Sequence, residues 1–425
     1  MEECSISKIT VVDNPMGTGK TSWSIQYIND NQFENILYIT PFLSEVERIL
    51  DNTDREFKQP IYKGGSKLEN LNELLDCQYD IASTHALFKK FDDESRENIK
   101  KGHYTLILDE VLNVIEPYNV QKDDVPLLKD SGCITIDEDG FVIWNKEKAN
   151  YDTKYNDIKI LAESRSLVCI NQKFLLWHYP PDIFTLFDNI YILTYLFEAS
   201  ILKGYFDLYK IRYDKKSICS ENGKYFITDF CLPDTKVYSK LLNIYDGNLN
   251  TNIKQKQTGL SSTWFGKKVN IPIIQQMKKN LYNYFANILN AKSETIMWTT
   301  FKDSKTNLRG KGYSKEFTAE QLKSTERAYG FLACNARSTN KYGYCYNLAY
   351  CLNVYLHPSV SQFFRQKGIV IDEELYALSE MIQWIWRSRI RNNEKINIYI
   401  PSIRMRTLLN SWINMSLEYQ HNMAS

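Results

Sequence analysis

The sequence predicts an α/β protein of two lobes, each a mainly parallel sheet flanked by helices. Three observations predict it. At 425 residues the chain exceeds one ordinary hydrophobic core and corresponds to about two to three domains of common size. Short apolar runs recur in two successive sets with polar helical stretches between them, and buried strands joined by helices imply parallel pairing, because a parallel connection needs a crossover. The charge also changes sign near Ser200: residues 1–200 carry 20 basic and 34 acidic side chains, residues 201–425 carry 32 and 17, and the total is only +1. That asymmetry reads either as drift between two solvated surfaces or as a second lobe presenting basic groups to a polyanion.

The first lobe is expected over residues 1–203. It opens with a β-branched run at 8–14 that stops at a Pro/Gly-rich turn, and a helix follows from Thr21. Further strands are expected at 35–40, 104–109, 167–170 and 190–194. Between 120 and 157, Asp137-Glu138-Asp139-Gly140 flanked by short apolar runs predicts an inserted surface hairpin. The second lobe is expected over 204–425, with 204–268 as an irregular connector or insertion holding short strand-like pieces around 205–213 and 225–229. Its regular part begins with an amphipathic helix at 271–289, followed by strands at 295–299, 330–334, 348–356 and 396–400.

Bulk properties exclude several classes. The longest apolar run, 190–197, is far short of the roughly 20 residues that span a bilayer. The start, Met1-Glu2-Glu3-Cys4-Ser5, lacks the basic and apolar stretches of a signal peptide, so a cytoplasmic protein without membrane association is expected. Nine cysteines without a C-x-x-C pair indicate neither a zinc site nor a disulfide framework.

The chemistry concentrates first in Asn14-Pro15-Met16-Gly17-Thr18-Gly19-Lys20-Thr21. A glycine-rich turn between strand and helix aims successive main-chain N–H groups at phosphates, and the helix N-terminus adds positive potential. On that reading Gly17, Thr18, Gly19, Lys20, Thr21 and Ser22 cradle ATP, Lys20 reaches the β/γ-phosphates, and the Thr21 hydroxyl ligates Mg²⁺. Such a turn needs carboxylates for the metal's water shell and for the attacking water. Asp109 and Glu110 supply both, directly after the apolar run 106–108. Other acidic pairs, such as Asp92-Asp93 and Glu373-Glu374, end no such strand.

These residues resemble superfamily 2 helicases with DEAD/DEAH-like motifs, and within them the phage-encoded helicases and the herpesvirus origin-binding helicase group. The resemblance spans most of the chain and implies two RecA-like lobes. Motif I looks like Asn14 to Thr21, in the A-x-x-G-x-G-K-T form with Asn14 for the alanine; motif Ia like Thr40-Pro41-Phe42-Leu43; motif Ib like Ser83-Thr84-His85; motif II like Asp109-Glu110-Val111-Leu112. Thr194-Tyr195-Leu196 stands where the family has Ser/Thr-Ala-Thr. In the second lobe Trp298-Thr299-Thr300-Phe301 is placed like motif IV and Asn335 to Asn340 like motif V.

Motif VI in the family is Q-x-x-G-R-x-G-R, and here Gln383-Trp384-Ile385-Trp386-Arg387-Ser388-Arg389-Ile390-Arg391 has Trp386 for the glycine. If 378–391 is one helix, Gln383, Arg387 and Arg391 share a face, opposite Ile382, Ile385, Trp386 and Ile390. That spacing selects Arg387 and Arg391 as γ-phosphate fingers beside Gln383, with Arg389 on the surface. Carried over as nucleic-acid contacts are Thr40, Ser83, Thr84, Thr300, Lys302, Arg337 and Thr339. The resemblance implies an ATP-dependent helicase or translocase acting on DNA more than RNA, in phage- or plasmid-type replication alongside other replication proteins. An ATP-gated DNA-binding or recruitment factor and a packaging-type motor remain alternatives at this point.

Overall fold

The computed structural model describes residues 8–63, 65–121, 123–148, 154–251, 258–336 and 340–414. The chain divides into two compact units, the first formed by Met1–Asp13, Thr21–Asp229 and Leu356–Asp372, the second by Asn14–Lys20, Phe230–Tyr355 and Glu373–Ser425.

In chain order, the strands of the first unit are β1 (Lys8–Asp13), β2 (Asn35–Thr40), β3 (Phe57–Lys58), β4 (Asp80–Thr84), β5 (Tyr104–Asp109), β6 (Ile115–Tyr118), β7 (Ile134–Ile136), β8 (Val142–Trp144), β9 (Leu167–Ile170), β10 (Phe174–His178), β11 (Asn189–Thr194), β12 (Asp214–Glu221) and β13 (Lys224–Asp229). Eight of them form one sheet in the order β13-β12-β1-β11-β5-β2-β4-β3. Every pair in it is parallel except β12 with β13. The central strand β5 is buried along its whole length, as expected of a parallel strand covered on both faces. On one face, helices α1 (Lys20–Asp30) and α2 (Leu43–Asn52) place Trp23, Ile28, Val46 and Ile49 against Val12, Ile36, Tyr38, Ile107 and Leu193.

The boundary expected at 203 shifts to Asp229. The hairpin β12–β13 extends the first sheet, turning at Asn222 and Gly223, both at positive φ, the turn chemistry that matches strand twist. Gln26 on α1 clamps it, donating to the Tyr225 carbonyl at 3.0 Å and accepting the Tyr225 N–H at 2.9 Å. The rest of the expected connector contributes a strand to the second unit.

Between β5 and β11 the chain builds an antiparallel sheet, β6-β10-β9, and the antiparallel hairpin β7–β8. The hairpin expected around Asp137 to Gly140 is present; the Asp137 carboxylate accepts the N–H groups of Asp139 and Phe141 at 3.1 and 2.8 Å, and Gly140 sits at φ +91°. Val125, Leu128, Trp144, Ile158, Leu167 and Leu175 form a separate core for this insertion.

In the second unit β14 (Leu242–Ile244), β15 (Ile296–Thr299), β16 (Gly330–Phe331), β17 (Asn347–Tyr350) and β18 (Ile396–Tyr399) form a fully parallel sheet in the order β14-β18-β17-β15-β16. Its core includes Met277, Leu281, Trp298, Leu308 and Tyr399. The expected helix at 271–289 is α-helical over Ile271–Tyr282 and continues as a π-turn over Asn283–Ile288. Among the described residues no helix is long and apolar enough to cross a membrane.

Candidate nucleotide-binding site

Parallel strands expose their C-terminal ends along one edge, and the first unit's register shows which residues share it. Asp13 pairs with Thr194, Leu193 with Asp109, Ile39 with Leu108, and Thr40 with Thr84. The positions singled out in motifs I, Ia, Ib, II and the Thr194 segment therefore end five neighbouring strands. Residues scattered over about half the chain become one row.

The turn leaving β1 has the geometry that a phosphate cradle requires. Gly17 and Gly19 adopt φ +82° and +94°, conformations open to glycine without strain. The Thr18 hydroxyl donates to the Pro15 carbonyl at 2.8 Å, and the Lys20 ammonium donates to the carbonyls of Asn14 and, at 2.9 Å, Pro15. Asn14, in place of a first glycine, thus serves through its main chain. Thr21 and Ser22 lie in the first turn of α1, whose N–H groups have no acceptor within the helix. A bare-backbone loop, an inward lysine and a hydroxyl one residue later fit a nucleoside triphosphate with its magnesium.

Asp109 ends β5 as a buried carboxylate, and its carbonyl lies 3.2 Å from His85 Nε2. Burial, and then the charge of Asp109, push the Tyr38 phenol well above its ordinary range. Glu110 follows at φ +68°, held by donation of its N–H to the Leu193 carbonyl at 2.9 Å. A glutamate in the left-handed region costs about 1–3 kcal/mol, the kind of strain that collects at functional sites. Its side chain is half-buried.

Sequence reasoning missed Asp13. This buried carboxylate accepts the N–H groups of Leu196 and Phe197 at 2.7 and 3.1 Å and pairs with Lys215 at 3.2 Å. Glu198 holds Lys215 at 3.3 Å and Lys203 at 3.7 Å. The strand preceding the phosphate loop is thereby tied to the Thr194-Tyr195-Leu196 segment. The one available signal was an acid at the last position of an otherwise apolar strand.

The arginine segment differs from expectation. The helix is Glu373–Ile385, and Arg391 falls in a separate turn, Arg389–Asn392, so Gln383, Arg387 and Arg391 do not form one helical stripe. Ser388 separates them in an extended conformation, φ −87° and ψ −173°, its hydroxyl donating to the Ile385 carbonyl at 2.6 Å. Gln383 is buried and donates to Ser379 at 3.3 Å. Arg387 is half-buried, and Arg391 donates to the Asn340 side chain. The Arg391 carbonyl stands 3.7 Å from where a Cβ on Gly17 would lie, so this segment and the phosphate loop, both assigned to the second unit, are neighbours. Trp386 fills the family's glycine position by packing edge-on against Tyr238 and Trp412, at centroid distances of 4.9 and 5.9 Å. Arg389 lies over the Tyr346 ring and pairs with Glu394 at 3.3 Å.

Of the residues carried over as nucleic-acid contacts, Thr40, Ser83 and Thr300 are buried. Thr300 donates to the Cys351 carbonyl at 3.2 Å, so a strand has no access to that hydroxyl. In the sequence they look like surface donors at strand ends, but Thr40 and Ser83 lie within β2 and β4 and Thr300 directly follows β15, all of them inside the fold. Thr84 is half-buried and caps a short helix by accepting the Leu87 N–H at 3.4 Å, while Lys302 is exposed. Arg337 and Thr339 lie outside the described residues.

These features define a two-lobe α/β protein of helicase type in its fold. An apo XPD structure has the same overall fold, at TM-score 0.52 and 14% identity, covering 96% of both chains. S. tokodaii Xpd4 is similar at TM-score 0.49 and 13% identity, over 95% of this chain and 94% of that one. The chain belongs to the YonV family: it is 39% identical to the SPbeta prophage-derived protein YonV of Bacillus subtilis (strain 168) over 424 residues, covering 96% of this chain and 99% of its relative. The family's middle domain matches residues 115–177 and its C-terminal Rossmann-like domain residues 236–413. The first match coincides with the antiparallel insertion, the second with most of the second unit.

Proposed function

We propose that this chain is an ATP-dependent nucleic-acid translocase of helicase type, acting on DNA in phage DNA metabolism. The observation that carries the reading is the row of strand ends: a glycine-rich turn after β1, with Asp109 and Glu110 two strands away on the same edge. Lys20 and the first-turn N–H groups of α1 hold the phosphates. Thr21 and Asp109 would hold Mg²⁺, which when bound neutralises charge on the transferred phosphoryl group. Glu110 orients and deprotonates the attacking water, and Arg387 and Arg391 stabilise charge on the γ-phosphate. The second unit's basic sequence supports a polyanionic partner.

The test is ATP turnover titrated with single-stranded DNA, duplex, forked DNA and RNA. DNA stimulation that disappears in Lys20→Ala, and in Arg387→Ala or Arg391→Ala with nucleotide binding retained, is the expected result. Turnover indifferent to every nucleic acid would sink the reading. One observation favours a second reading, an ATP-gated binding factor without unwinding: Leu196 stands where Ser/Thr-Ala-Thr has its last hydroxyl, and Asp13 ties down the N–H groups of Leu196 and Phe197. DNA-stimulated turnover without strand displacement on a fork selects that alternative.

A further inference from the structure

The second unit carries a cavity of about 480 Å³ at the end of its sheet opposite the motif residues. Ser293 precedes β15 and Tyr329 precedes β16, so the cavity opens at the strands' N-terminal edge, roughly 13 Å along a four-residue strand from Thr300. Arg309, Gly312, Ser314 and Lys315 complete its wall.

Its chemistry suits a phosphate. Between Lys305 and Glu316 the chain has four basic side chains and one acid. That acid, Glu316, is shared by Lys305 at 2.9 Å and Arg309 at 3.5 Å, leaving a net positive wall. Gly312, at φ +88°, has open space where a Cβ would stand, so bare main chain faces the cavity. Its carbonyl accepts the Ser293 hydroxyl at 2.8 Å, and Ser314 accepts the Gly310 N–H at 2.8 Å, which fixes the turn. The far wall is pinned too: the Phe331 N–H donates to the Lys315 carbonyl at 3.0 Å, and Gly330, at φ +87°, sits so close that a Cβ there would overlap that carbonyl. Tyr329 adds a half-buried ring, a stacking surface beside the cations.

We propose that this cavity binds a backbone phosphate of a single nucleic-acid strand, with Arg309 and Lys315 as its cations and Tyr329 against a neighbouring base. It gives the strand an anchor at the sheet edge opposite Thr300 and rests on the nucleic-acid-binding reading above. The experiment measures anisotropy of fluorescein-labelled oligo(dT) and oligo(rU) with the full chain, without ATP, across a salt series. Arg309→Ala/Lys315→Ala should weaken binding about tenfold and reduce the log–log salt slope by about 1.4, two contacts at about 0.7 each. Arg309→Lys/Lys315→Arg should restore most of it, and binding of a fluorescent ATP analogue should not change. Equal strand affinity and slope in the alanine variant overturn the cavity assignment and leave the nucleic-acid reading standing. A chain that binds pyrophosphate through Arg309 and Lys315 but no oligonucleotide overturns the strand and the nucleic-acid reading together. A chain that binds neither overturns both as well.

Discussion

Asp13→Ala isolates the contact between the phosphate-loop strand and the segment after β11. The carboxylate accepts two main-chain N–H groups, from Leu196 and Phe197, and pairs with Lys215. Lys215 retains Glu198 as a partner, so the loss falls mainly on the two N–H groups. A hydrogen bond to a charged acceptor contributes about 1.5–3 kcal/mol, and two at the lower end come to about 3 kcal/mol. At about 1.4 kcal/mol per tenfold, local opening becomes roughly a hundredfold more frequent. Hydrogen–deuterium exchange of the peptide containing Leu196 and Phe197 reads that directly, without treating a two-unit chain as a single two-state unfolder. Asp13→Asn keeps one acceptor oxygen and should fall between wild type and alanine. If protection of both amides in Asp13→Ala equals that of wild type, the carboxylate does not hold this segment, and the link drawn from it is wrong.

Glu110→Gln should preserve ATP binding and lower turnover by about 10² to 10⁴, the usual contribution of a positioned base, as read by steady-state hydrolysis beside an equilibrium binding measurement. Trp386→Gly, which installs the glycine of the helicase motif VI that this segment resembles, should destabilise the second unit by about 3–5 kcal/mol, because the buried ring between Tyr238 and Trp412 leaves a cavity; denaturant melts followed by tryptophan fluorescence check it. His178, hydrogen-bonded to Tyr209 at 2.6 Å, is pushed down to about 4 by burial. Its neutral form is favoured in the folded chain, so the unfolded state binds the extra proton between its ordinary pKa and that value. Stability is fully present above about pH 6.5 and is lost as pH falls towards 4, by on the order of 3 kcal/mol, and His178→Phe should flatten that part of a stability–pH profile.

Much of this fold was legible because its central strands are buried on both faces. β2, β5 and β11 read as apolar runs, and the carboxylates ending β5 stood out against them. Of the hairpin β12–β13 only the run 225–229 read as strand-like, since an edge element exposes polar side chains and mimics a linker, and the run 205–213 read the same way belongs largely to a helix, Ile201–Tyr209. The end of the helix Glu373–Ile385 was hidden for another reason: Trp386 and Ile390 remain buried after the helix stops, so apolar spacing runs past the backbone break. The function of Asp13 was out of reach because the N–H donors it accepts from lie more than 180 residues away in sequence.

The position of the insertion gives Glu110 a second significance. β5 and β11 are adjacent parallel strands, yet the chain between them builds an antiparallel sheet with its own core. The chain must therefore turn away at the C-terminal end of β5, on the edge carrying the row of motif residues, and return to the N-terminal end of β11. Glu110 is where it turns, in a left-handed conformation fastened to the Leu193 carbonyl. Glycine would adopt that φ without strain, so local geometry alone favours glycine here, by about 1 kcal/mol. On the function proposed above, the carboxylate is the reason a glutamate stands at this pivot. The residue at which the chain leaves β5 for the family's middle domain is also the one that follows Asp109, on the edge where the glycine-rich turn begins.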